Sequence, residues 1–199
     1  MGQRNQKRDW LRRLEPEAYR DDACVHWTMA MEGRKTGWLI PIFYYKFREL
    51  LTHTMFRYGL CCPVYCCMPD HIHLLWMGVT TGADQRKAVK YFRNQINTIL
   101  ATFETMLQKQ PYDHVLTADE RQPRAFATIV EYIARNPERA GLVKRDEYHR
   151  YPFTDCLLPG YPEVKFKHAD FWDRFDRIVS SLRKQGCQRL VVDSASDDD

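Results

Sequence analysis

No apolar run in this sequence reaches the ~18 residues that a bilayer-spanning helix requires. The polar start, Gln3-Arg4-Asn5-Gln6-Lys7-Arg8, leads into no apolar signal segment. A cytoplasmic protein with no membrane partner is the expectation. A disulfide framework is also lacking: the seven cysteines are an odd number, and in a reducing compartment they are expected to stay thiols. There is no internal repeat. Negative charge is short as well, with 26 Asp and Glu against 30 Lys and Arg, a formal net charge of +4. Four of those acids, Asp193, Asp197, Asp198 and Asp199, fall in a closing stretch that reads as disordered. Leaving these four out raises the remainder from +4 to +8, a balance that favours a polyanionic partner.

What is present is a chain of 199 residues with 44% hydrophobic content, enough for one domain with a real core. Residues 1–21 form a basic arm (Arg4, Lys7, Arg8, Arg12, Arg13), and a domain is expected over 22–158. An extension over 159–190 and an acidic tail over 191–199 follow. Within the domain, Cys24–Met31 reads as a strand closed by Glu32-Gly33-Arg34, and Pro41–Tyr58 carries Phe43, Phe47, Leu50, Leu51 and Met55 at helical spacing. Cys61–Met68 and His71–Met77 read as strands. The short Pro69-Asp70 link makes them an antiparallel hairpin. A second helix is predicted over Asp84–Leu107, a short strand over Tyr112–Leu116 and a third helix over Arg124–Arg135, closed by Asn136-Pro137. Phe171, Phe175, Ile178 and Leu182 predict a last helix over His168–Lys184, docked on the domain. The order implies an α+β fold, an antiparallel β-sheet with helices packed on one face, close to ferredoxin-like.

Two places carry chemistry. Side chains alternate along a strand, so His71 and His73 share a face, within reach of one divalent ion. In the third helix Phe126, Ile129, Val130 and Ile133 form the apolar stripe. Tyr132 lies on its shoulder with Asn136 one turn on. Each feature alone has a plainer reading, packed histidines in one case and an amphipathic tyrosine covering the core in the other.

Together they resemble a known family. Met68-Pro69-Asp70-His71-Ile72-His73-Leu74-Leu75, followed by Tyr132-Ile133-Ala134-Arg135-Asn136-Pro137-Glu138-Arg139-Ala140-Gly141-Leu142-Val143, is similar to the HUH single-tyrosine transposases, closest to the REP-associated tyrosine transposases. Tyr112-Asp113-His114-Val115 resembles the family's Tyr-Asp-Arg-Val, with His114 in the arginine's place. Tyr151-Pro152-Phe153-Thr154 resembles its Tyr-Pro-Trp-Ser. The resemblance covers roughly residues 22–156 and implies an HUH nuclease core. His71 and His73 would then be metal ligands, Asn136 would complete the metal site, and Tyr132 would be the nucleophile that forms a 5′-phosphotyrosine link. The implied cofactor is Mg²⁺ or Mn²⁺, and the implied partner is single-stranded or hairpin DNA. Monomer and homodimer are both open.

Arg86, Lys90 and Arg93, flanked by Lys87, lie on the helix face opposite the apolar stripe and are candidates for DNA phosphate contacts; a solvated face is the alternative. Cys61, Cys62, Cys66 and Cys67 do not converge on a strand: Cys62 and Cys66 are expected on one face, Cys61 and Cys67 on the other. Buried thiols are favoured over a zinc module. The competing function is a DNA-binding regulator on the same fold without catalysis.

Overall fold

A computed structural model describes residues 13–193, so Arg4, Lys7, Arg8 and Arg12 and the tail residues 194–199 lie outside the described residues. The elements are β1 (Cys24–Ala30), α1 (Pro41–Tyr58), β2 (Leu60–Met68), β3 (His71–Gly78), α2 (Gln85–Ala101), β4 (Tyr112–Val115), α3 (Pro123–Ala134), α4 (Asn136–Arg139), β5 (Thr154–Leu157) and α5 (Phe171–Asp193). The fold is α+β, with a five-stranded sheet in the order β4-β1-β3-β2-β5 whose neighbours all pair antiparallel.

Local chemistry sets the boundaries. Proline occupies the first turn of α1, where its missing N–H costs nothing, and Gly59 ends the helix in the left-handed region at φ 61°. Asp84 caps α2 by accepting from the Lys87 backbone N–H at 3.0 Å. The α2 helix stops at Ala101, short of the predicted Leu107. The reason is tertiary: the Leu107 N–H donates to Asn97 Oδ1, and Leu107 bridges Met31 beside β1.

The sheet is covered on both faces. On one, Trp27, Leu74 and Trp76 pack against Phe43 and Phe47 of α1 and Phe92 and Ile96 of α2. On the other, Val64, Cys66 and Leu75 pack against Phe126, Val130 and Ile133 of α3 and Phe171, Phe175 and Ile178 of α5. The expectation of helices on one face is met by α1 and α2 and corrected by α3 and α5. Every residue of β2 is buried, and β3 is buried after His71, so neither strand has a face fit for water.

A bulge changes the cysteine expectation. Cys61 and Val64, three residues apart, lie opposite Met77 and Leu75, two apart, so β2 carries one extra residue around Pro63. The face therefore switches. Cys62 and Cys67 enter the α1–α2 core, while Cys61 and Cys66 enter the α3–α5 core. The four thiols remain free, buried and divided. Burial raises the thiol pKa of each, as expected of thiols that fill space.

Candidate metal and tyrosine site

Cross-strand register places the histidines. His73 stands opposite Thr28 of β1 and Cys66 of β2, and His71 opposite Ala30 and Met68, all on the α3–α5 face. Both rings lean inward until their Nε2 atoms are 2.9 Å apart. Two neutral imidazoles have two Nε2 lone pairs to offer one cation, so the spacing fits a shared ligand pair.

Their far nitrogens are also held. Asp70 Oδ1 lies 2.6 Å from His71 Nδ1, while Asp70 Oδ2 accepts from Arg34 at 3.1 Å. Burial disfavours the Asp70 charge, but the His71 hydrogen bond and then Arg34 outweigh it, and the carboxyl pKa is lowered. His73 Nδ1 faces His26 Nε2 at 3.1 Å and Thr28 Oγ1 at 3.2 Å. Burial, followed by the charges of His26 and His71, pushes the His73 pKa down to about 3. Burial and His114 push His26 down to about 4. His73 and His26 are therefore neutral near pH 7, and for His73 that is the state metal ligation requires.

Among the described residues no group of three or more His, Cys, Asp or Glu forms a metal site. A cation on His71 and His73 would take its remaining ligands from an amide, water or substrate oxygen. Imidazole donors suit Mn²⁺ or Zn²⁺ better than Mg²⁺.

Tyr132 and Asn136 come from α3 and the start of α4. The α3 helix buries Phe126, Val130 and Ile133, which leaves the Tyr132 ring 47% exposed on the helix shoulder. The Arg139 guanidinium covers that ring at 3.9 Å. The Asn136 amide N–H groups donate to the Tyr132 carbonyl at 3.2 Å and the Ile133 carbonyl at 3.0 Å. Its oxygen, the atom a metal would use, has no hydrogen bond among the described residues. The helix that bears Tyr132 thus packs on the sheet face of the histidine pair, and neither Tyr132 nor Asn136 hydrogen-bonds to the pair.

The α2 cations separate into two kinds. Lys87 and Lys90 are exposed, and Arg86 lies 5.9 Å from the Tyr19 ring. Arg93 is instead half-buried and donates to the Gln108 carbonyl. Burial, and then Arg13, lowers its pKa. With Arg13, these four cations line a groove of about 430 Å³ that reaches Pro111 at the start of β4. The groove lies on the α1–α2 side, across the sheet from His71 and His73.

The sequence reading passed over His26 and Thr28, because only strand register brings β1 beside β3. Arg13, assigned from the sequence to the basic arm, pairs with Asp113 at 3.1 Å, and Tyr19, which the sequence reading passed over, donates its hydroxyl to the same carboxylate.

No family model matches the chain, and no curated protein does. Among solved structures, it is similar to a REP-associated tyrosine transposase bound to a REP hairpin. The TM-score is 0.59 at 19% identity, over 73% of this chain and 81% of that one. At that identity the likeness shows a shared fold, a five-stranded open antiparallel sheet with packed helices.

Proposed function

We propose that this protein nicks and rejoins single-stranded DNA through a 5′-phosphotyrosine intermediate on Tyr132, acting on hairpin repeat DNA. The observation that carries the reading is the convergence of His71 and His73 Nε2 at 2.9 Å, on the sheet face against which the tyrosine-bearing helix packs. The hairpin-bound transposase of the same fold supports the choice of substrate.

In the forward step the Tyr132 oxygen attacks phosphorus, the P–O(tyrosine) bond forms and the P–O3′ bond breaks. The tyrosine proton passes to solvent and the departing 3′-oxygen takes one up. The aryl oxygen is a tolerable leaving group, so a 3′-hydroxyl can reverse the step and reseal a strand without an external energy source. The Arg139 guanidinium over the Tyr132 ring is a cation–π contact that holds the ring against the helix shoulder. His71, His73 and the Asn136 oxygen would hold a Mn²⁺ or Mg²⁺ ion, which when bound supplies Lewis-acid polarisation of the scissile phosphate. Asp70 fixes the His71 ring while that ion is held.

The second reading is a regulator that binds DNA without cleaving it. It is favoured by the Tyr132 ring lying under Arg139 with no hydrogen bond to the histidine pair. One experiment separates the two. Labelled single-stranded hairpin DNA, incubated with Mn²⁺ or Mg²⁺ and run on a denaturing protein gel, should give a shifted band. That band should carry only the 3′-side fragment and vanish in Tyr132→Phe. Tight binding with no adduct under either metal would favour the regulator.

A further inference from the structure

The Nδ1 of His73 has two partners from the neighbouring strand, His26 Nε2 at 3.1 Å and Thr28 Oγ1 at 3.2 Å. Neither belongs to either of the two motifs. From this geometry we infer that His26 and Thr28 are positioning residues, which fix the ring and the proton of His73 so that its Nε2 lone pair is presented beside that of His71. The inference rests on the metal-binding part of the reading above.

Hydrogen-bond roles set what His73 needs from its neighbours. A neutral imidazole has one N–H and one lone pair. If His73 gives its Nε2 lone pair to a cation, its proton must sit on Nδ1 and needs an acceptor. His71 has the Asp70 carboxylate in that place, at 2.6 Å. Among the described residues no carboxylate hydrogen-bonds to His73, and the residue is only 8% exposed, so solvent cannot do the work. Without a cation the roles reverse. With His71 Nδ1–H given to Asp70, the 2.9 Å contact between the Nε2 atoms needs a proton from His73. His73 Nδ1 is then an acceptor that requires a donor. A carboxylate could serve only the loaded state. A hydroxyl can give or take a hydrogen, and an imidazole can do either by changing tautomer, so His26 and Thr28 satisfy His73 in both states. The His26 ring also lies against that of His73, with centroids 5.2 Å apart, which limits its rotation. Asp70 and the β1 pair thus hold the two ligands by different chemistry.

The test uses the full chain and metal alone, with no DNA. Mn²⁺ binding is read from the loss of the free-ion EPR signal in wild type, His71→Ala, His26→Gln and the double variant His26→Phe with Thr28→Val. Wild type should bind, and His71→Ala should lose binding. The double variant should bind about tenfold or more weakly, the usual effect of losing an outer partner of a ligating histidine. His26→Gln, whose amide can also give or take a hydrogen, should stay within about threefold of wild type. Zinc-loaded wild type, followed by ¹⁵N spectra of the histidine side chains, provides a check that needs no variant. His73 should be metal-bound through Nε2 with its proton on Nδ1. Coordination through Nδ1 would overturn the inference, as would wild-type affinity in the double variant while His71→Ala fails. If wild type takes up no Mn²⁺, or His71→Ala binds it equally well, the metal reading itself falls and the positioning role with it.

Discussion

At the residue scale His26 and His73 are neutral because they are buried, and that ties stability to pH. In the metal-free protein His26 and His73 titrate at about 4 and about 3, against an ordinary value near 6.5 in the unfolded chain. Between these limits the unfolded state binds protons that the folded state refuses. Stability is therefore full above about pH 6.5 and falls as the pH drops towards 4, by up to about 1.4 kcal/mol per pH unit for each histidine. Urea unfolding in chelator at pH 7.5, 6 and 5 should show this loss, and His26→Phe should flatten it. Equal stability at pH 7.5 and 5 would mean that the rings are not neutral. Gly78 makes a different prediction. A Cβ there would overlap the carbonyl oxygen and carbon of Asp21, both of them backbone atoms. Gly78→Ala should cost about 3 kcal/mol in the same assay.

Elements show how far a sequence can be read and why reading stops. The 71–73 pair was legible because a strand's two-residue period needs no partner to reveal it. The α1 boundaries were legible from Pro41 and Gly59. The bulge at Pro63 was not, because an extra residue is defined only against Met77 and Leu75 across the ladder. His26 and Thr28 were hidden for the same reason. The second helical layer was half legible: Leu74 and Leu75 are adjacent and both core-like, which already demands cover on each face. The edge strand β4 adds a route that only register exposes. Tyr112, Thr28, His73 and Cys66 form one cross-sheet row, so Tyr112 sits two strands from the histidine pair, about 10 Å at the usual strand spacing. Tyr112 is 52% exposed, and its neighbour Pro111 lines the basic groove. A single strand held in that groove would cross the β4 edge over this ring to reach His73. Tyr112→Ala should then weaken binding of single-stranded DNA by about 1–3 kcal/mol, the usual worth of a stacked base. Fluorescence anisotropy at fixed salt would check it; unchanged affinity would send the strand another way.

For the whole molecule the question is which of its many cations would meet DNA under the proposed function, since a net charge of +4 cannot say. Arg13 is committed to Asp113, Arg135 to Glu131, Glu138 and Asp146, and Arg93 to the Gln108 carbonyl. These hold the fold and have little charge to spare. Lys90 forms no ion pair among the described residues, and Lys87 has only a 3.7 Å contact with Asp84, so both can neutralise phosphates at small structural cost. The two kinds of cation should separate in a salt titration. For single strands the slope of log K against log salt is about −0.7 per phosphate neutralised, so Lys87→Gln with Lys90→Gln should make it shallower by about 1.4. Thermal stability should hardly change, because neither side chain is buried. Arg93→Gln should do the reverse, lowering the melting temperature through the unpaired Gln108 carbonyl while leaving the slope nearly intact. If the lysine pair left the slope untouched and Arg93→Gln removed it, the buried arginine would be the phosphate contact. The groove would then have to open when DNA binds.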